Sequence, residues 1–360
     1  MKVLHVYPKS DALIRQHVTL LAEGMRQSAD VQVADSTSSF RQYLHEMEPD
    51  VVHCHGCWHY YLARAAASAR NNGARVVVTL HGQLEPWVIK QQSIQENVSK
   101  TLLWQKKTIE KAYSIITLGK LERGNFEKLG WNRRVEEIHN AVITNAITPE
   151  EMCTRTYAVY QKVLDSYTHE QLNDDSLTAL SIILKAGVTG DKRWTSLHDL
   201  NYNNKEIDWR RLLIYAEHEN IRNYVDYGIN ILGLTTPVID TSKIISYFPD
   251  GYQRPKPLKE IIGDYQGDET DFLLRMIRQI GRQPLLLHLV ELTRELYRDN
   301  VNDDQLNEQL EDKKLTNFTA RLMQVLREQT LLDDGFMPLA PIDDKQTQQI
   351  RKHLTNHLKI

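Results

Sequence analysis

The sequence predicts a two-part chain: a parallel, doubly wound α/β domain over residues 1–147, followed by a mostly α-helical domain over 148–360. Three observations predict it. Short β-branched runs alternate with amphipathic helical segments through the first 145 or so residues, the pattern of a parallel sheet whose crossovers are helices. No convincing strand series follows. A length of 360 residues, 41% hydrophobic and 25% charged, provides core for about two soluble domains. The first domain therefore reads as Rossmann-like.

Element by element, KVLHVY (2–7) is the first strand. Residues 11–28 set Ile14, Val18, Leu21 and Met25 on one helical face. VQVA (31–34) follows as a strand, 38–47 as a helix, DVVHC (50–54) as a strand, and YYLARAAASARNNG (60–73) as a helix stopped by glycine. RVVVTL (75–80) is the most β-branched run in the chain and reads as a central strand. A longer helical stretch is expected over 93–112, a strand over YSIITL (113–118), a helix over 120–129 ending near Gly130, and a last strand over RVEEI (134–138). Beyond 150, residues 209–232 keep Trp209, Leu213, Ala216, Val225, Ile229 and Leu232 in one helical pattern that stops at Gly233. GYQRPKPLKE (251–260) reads as a loop or linker. Asp268 is expected to cap a helix ending at Gly281. Pro284 should open the next helix at its first position. Residues 315–331 should form the last long helix, with Phe318, Leu322 and Val325 on one face.

The net charge of −3 excludes the strongly basic balance of a nucleic-acid binder. Residues 1–150 hold 18 Lys and Arg against 15 Asp and Glu, the remainder 26 against 32. A mildly basic first half could receive an anionic ligand or lie against anionic lipid; ordinary solvated charge is the plainer reading. No apolar run approaches the ~20 residues that span a bilayer, and MKVLHVYPKS is too short and polar for a signal peptide. Three Cys form no disulfide framework, which suits a reducing cytoplasm. The expected location is cytoplasmic, with at most peripheral contact at the inner membrane face. Lys100, Lys107 and Lys111 beside Trp104 would supply that contact, although a solvated helix face explains them as well.

In an open α/β sheet, ligands sit outside the C-terminal strand ends. Four loops with polar tips fall there: Pro8-Lys9-Ser10-Asp11, His53-Cys54-His55-Gly56, His81 to Trp87, and His139-Asn140-Ala141. Together they describe a pocket rim. The segment DVVHCHGCWHYY (50–61) admits two other readings. Cys54 and Cys57 could be half of a zinc site, but no second C-x-x-C or H-x-x-x-H exists and Cys153 is remote. They could be a redox pair at a helix N-terminus. The pocket-rim reading, with Cys54 as a small buried hydrophobe, asks least of the sequence, so no metal is expected. EHENIRN (217–223) lacks the second His of a helical zinc motif and reads as a solvated face.

The strand-end motifs resemble those of the family 4 retaining glycosyltransferases, in their N-terminal, acceptor-side domain. DVVHCHG is similar to that family's D-V-V-H-x-H-G strand end, and VVVTLHGQLEPW to its T-x-H-G-x-x-x-P-W pattern. KAYSIITLGKLERGNFEKLGW and EEIHNAV resemble its later A-x-x-I-x-x-S and I-x-N-G-V stretches. The resemblance covers roughly residues 1–147. It implies that His81 corresponds to the active-site His near the transferred sugar, while His55 and the 82–87 loop, with Gly82, Glu85 and Trp87, line the acceptor side. Ser10, His53 and Asn140 complete the expected substrate contacts. The implied activity is transfer of a sugar from a nucleotide-sugar donor to a glycan or lipid-linked acceptor, as in polysaccharide biosynthesis, with no cofactor. Two features depart from the family. Its Gly-Gly after the first strand, where backbone approaches phosphate, is Lys9-Ser10-Asp11-Ala12 here. Its second Rossmann-like domain, which carries the donor site with a Lys or Arg and two Glu eight positions apart, has no counterpart in 151–360. Glu260 and Glu269 are nine apart. The alternative is a non-catalytic glycan-binding or assembly protein that keeps the acceptor half and uses its helical half for a protein partner.

Overall fold

The computed structural model describes residues 1–91, 104–194, 206–265, 267–281, 284–298 and 302–360. Two compact units divide the chain, Met1–Ser166 and Tyr167–Ile360.

The first unit is built on β1 (Lys2–Val6), β2 (Asp30–Ala34), β3 (Val51–His55), β4 (Arg75–Thr79), β5 (Ser114–Thr117) and β6 (Val135–Glu137). They form one sheet in the order β2-β1-β3-β4-β5-β6, with every neighbouring pair parallel. The winding leaves β1 outward to β2, then returns past β1 to β3 and continues the other way. The switch point therefore lies between β1 and β3, where doubly wound sheets open a crevice at the C-terminal ends. The crossovers are α1 (Ala12–Met25), α2 (Thr37–Met47), α3 (Tyr60–Asn71), α4 (Pro86–Gln91), α5 (Lys106–Glu110) and α6 (Lys120–Glu127), and α7 (Pro149–Asp165) follows β6. Of the helix expected over 93–112, residues 93–103 lie outside the described residues, as does Lys100.

Because strand side chains alternate between faces, the sheet sorts its residues. Leu4, Val6, Val52, Cys54, Val76, Val78 and Ile115 join Phe40 and Met47 of α2 and Leu62, Ala66 and Ala69 of α3 in one core. His5, His53, His55 and Thr79 occupy the intervening positions and are buried on the opposite side, with His17 of α1 and Tyr160 of α7. The first unit ends at Ser166 rather than at 147 because α7 belongs to it. Gly24 of α1 leaves room for Cys153, and an added Cβ there would strike its sulfur. The Tyr160 hydroxyl reaches β3.

The second unit contains α8 (Asp174–Thr189), α9 (Trp209–His218), α10 (Arg222–Leu232), α11 (Leu258–Ile262), α12 (Glu269–Ile280), α13 (Leu286–Leu296), α14 (Asp303–Asp312), α15 (Thr316–Gln329) and α16 (Lys345–Asn356). Its described residues include no strand. Gly187 of α8 and Gly228 of α10 bring these two helices into backbone contact, since a Cβ on either would collide with a carbonyl oxygen of the other.

Four local expectations change. The pattern over 209–232 is two helices, broken where Asn220 takes φ 58° and donates from Nδ2 to the Pro255 carbonyl at 2.7 Å; Asn is one of the few residues that tolerate this conformation. Pro284 precedes α13 by two residues, because Leu285 stays extended (φ −122°, ψ 152°) and buries its side chain. The last helix is α16, whose polar sequence hides its stripe of Thr347, Ile350 and Leu354 behind an Asp344 capping box. EHENIRN does not face solvent: Glu219 is fully buried, its Oε1 3.0 Å from His357 Nε2.

Candidate functional site

A cavity of about 480 Å³ opens outside the strand ends. Five of the residues expected at the rim line it: His81, Gly82, Glu85, Trp87 and Asn140. Asp11 lines it too, whereas Ser10 is exposed and outside the lining. His53 and His55 are fully buried beneath the floor and do not line the cavity themselves.

The turn after β4 presents His81. His81 has φ 54° and Gly82 has φ 72°. A non-glycine residue in this region costs on the order of 1–3 kcal/mol and persists only where its surroundings hold it. Glu122 of α6 does so. Its Oε1 accepts the Gly82 N–H at 2.5 Å and its Oε2 the Leu118 N–H at 2.5 Å. Burial raises the Glu122 pKa against the pull of these two donors. Across the turn, Glu85 Oε2 accepts from Asn125 Nδ2 at 2.6 Å. Gln83 Oε1 accepts the Cys57 and Trp58 N–H groups at 2.6 and 3.1 Å, tying the β3 and β4 loops together.

Under the turn lies a chain of imidazoles. His81 Nε2 is 3.2 Å from His55 Nδ1, and His55 Nε2 is 3.0 Å from His5 Nδ1. His53 uses both nitrogens, at 2.6 Å from the Tyr160 hydroxyl and 2.7 Å from Thr79 Oγ1. His17 Nδ1 lies 2.9 Å from Asn140 Oδ1, which also accepts the Val142 N–H at 3.0 Å. That second bond marks the Asn140 atom as an oxygen, so His17 Nδ1 carries the proton and Nε2 the lone pair. Burial lowers the pKa of all five rings, that of His5 to about 3. At neutral pH they are uncharged, each with one donor and one acceptor nitrogen.

Cys54 and Cys57 are free and buried. Burial pushes the Cys54 thiol up to about 12 and raises that of Cys57 as well, the reverse of the depressed pKa a redox pair needs. At the first helix, Asp11 Oδ1 accepts the Leu13 and Ile14 N–H groups at 3.1 and 3.0 Å. Two of the donors that a helix N-terminus would turn toward a phosphate are thus engaged by the chain itself.

Residues 14–141 match the glycosyl transferase 4-like domain. The match runs from α1 past β6 and includes His17, His53, His55, His81, Glu85, Glu122 and Asn140. No curated protein and no solved structure matches the chain. The glycosyltransferase-like loops are legible in the sequence, whereas His5, His17, Glu122 and Tyr160 join the site only in the folded chain. For His17 a signal existed: it sits within the apolar stripe of α1, between Ile14 and Leu21, where a solvated His would not be placed.

Proposed function

We propose that the chain transfers a sugar, with retention, from a nucleotide-sugar donor to a glycan or lipid-linked acceptor, and that the cleft beyond β4 receives the acceptor. The observation that carries this reading is the held turn: Glu122 fixes His81 and Gly82 in left-handed conformations, so the imidazole meets the cavity without having to reorganise. A neutral His81 would hydrogen-bond an acceptor hydroxyl, and Glu85 would orient a second. Exposed Trp87, with Leu13, Leu121 and Ile143 also exposed at the cleft, suits a sugar face or the apolar carrier of a lipid-linked acceptor. Nucleotide sugar enters as a substrate, with no cofactor. The setting is cytoplasmic, with at most peripheral contact at the inner membrane face and no nucleic acid. Among the described residues no helix is long and apolar enough to cross a membrane.

The capped N-terminus of α1 favours a second reading, a non-catalytic glycan-binding or assembly protein whose helical unit serves a protein partner. Calorimetry with common nucleotide sugars separates the two. Micromolar affinity, about −8 kcal/mol, supports transfer; glycan binding without nucleotide-sugar binding supports the alternative. His81→Ala should melt near the wild type and lose glycan binding or activity. A variant that melts much lower while its folded fraction binds normally would remove His81 from the site.

A further inference from the structure

We propose that His17, His55 and His81 form a three-histidine site for a transition-metal dication of the zinc class, with its fourth position open to the cleft. This stands on geometry and does not depend on the transferase reading. It replaces the expectation of a metal-free chain, which weighed the ligands around Cys54 and Cys57 and the incomplete motif of EHENIRN.

Among the described residues two groups of three histidines bring a ligand nitrogen each within 4.8 Å of one another: His5 with His53 and His55, and His17 with His55 and His81. The first group cannot serve. Both nitrogens of His53 are committed, to Tyr160 and Thr79, and all three rings are sealed from solvent.

The second group is arranged as a metal site requires. His17 Nε2 holds a lone pair, because Nδ1 carries the proton bonded to Asn140. His55 Nδ1 and His81 Nε2 are 3.2 Å apart, close to the roughly 3.3 Å between two nitrogens bound at about 2.0–2.1 Å to a tetrahedral ion. Each ligand's other nitrogen is accounted for. His17 Nδ1–H donates to Asn140 Oδ1, His55 Nε2–H can donate to His5 Nδ1 at 3.0 Å, and His81 Nδ1–H remains for a ligand in the cleft. Such outer partners fix the tautomer and aim the ring. Neutral imidazoles suit zinc, copper, nickel or iron rather than magnesium or calcium, which prefer oxygen ligands. The cavity lining sets the carboxylates of Asp11, Glu85 and Glu122 against Lys120, which favours a cation over an anion at its floor.

The test uses the full chain, stripped with a chelator and titrated with Co²⁺, whose visible absorption reports tetrahedral coordination, with Zn²⁺ as competitor. One ion per chain with a tetrahedral spectrum is expected. His17→Ala and His81→Ala should each weaken binding by more than about 100-fold, and Asn140→Ala by about 10–100-fold as an outer partner. The Cys54→Ala, Cys57→Ala double variant should bind as the wild type does. Should the histidine variants fail to fold, ¹⁵N-histidine spectra of the wild-type chain decide: zinc should move the resonances of His17 Nε2, His55 Nδ1 and His81 Nε2 and leave those of His53 in place. No saturable Co²⁺ binding, an octahedral spectrum, binding unchanged in both histidine variants, or binding lost in the cysteine variant would each overturn the site.

Discussion

Replacing Glu122 by Ala should disable the cleft from a position that touches no reacting group. The carboxylate accepts two backbone N–H groups at 2.5 Å each, from Gly82 and Leu118, and the side chain is buried. Orphaning a buried N–H costs about 1–3 kcal/mol. Part of this is returned, because burial already disfavours the ionised carboxylate. A net loss of about 2–4 kcal/mol is expected. The turn at His81 and Gly82 would then lose its anchor, and the left-handed backbone at His81 would relax at the expense of the site. Urea unfolding followed by tryptophan fluorescence measures the first effect, and acceptor-glycan calorimetry the second. Glu122→Gln restores one acceptor oxygen but turns an NH₂ toward the other N–H, so it should recover little. Stability within about 0.5 kcal/mol of the wild type in Glu122→Ala, or full stability in Glu122→Gln, would refute the claim that both oxygens hold the turn.

Two further outcomes are expected in the helical unit. Gly228→Ala should destabilise it by about 1–3 kcal/mol or more, since the new Cβ would overlap the Ile183 carbonyl oxygen of α8; an unchanged urea midpoint would mean that the helices can slide apart. His218 should make this unit acid-sensitive. Burial, then Arg254, lowers its pKa to about 4, so the fold holds it neutral while the unfolded chain protonates near 6.5. Its contribution is whole above 6.5 and is lost as pH falls toward 4, with about 1.4 kcal/mol gone by pH 5.5. In His218→Gln the stability difference between pH 7.5 and 5.5 should shrink by that amount, and an identical difference in the two proteins would contradict this assignment.

The parallel sheet was legible because its strands are short, β-branched and separated by stretches with helical periodicity, and because such a sheet constrains where loops can carry ligands. His81, Glu85 and Asn140 were reachable on that ground alone. Tyr160 was not, and for His17 the apolar stripe of α1 signals burial but not its partner. Tyr160 meets His53 from 107 positions away, and His17 meets Asn140 from 123. Nothing local in the sequence announces such pairings, which arise only when α1 and α7 lie on the sheet. Glu122 was hidden for another reason. A Glu in the first turn of a helix ordinarily serves the helix dipole, and its service to a loop 40 residues earlier is a product of the fold. In the helical unit, boundaries failed where backbone conformation overrode periodicity, at Asn220 and Leu285.

The alternation along β3 makes the crowded stretch at residues 50–61 two neighbourhoods separated by a wall of backbone. His53 and His55 address the layer with α1 and α7, while Cys54 addresses the layer with α2 and α3. Residues adjacent in the chain thus belong to different compartments, and perturbations in the two should combine independently, as for sites with no shared partners. Either layer could be recomposed while the other is left untouched. A one-residue shift of this strand would exchange the two populations outright, sending imidazoles into the oily layer and a thiol into the polar one.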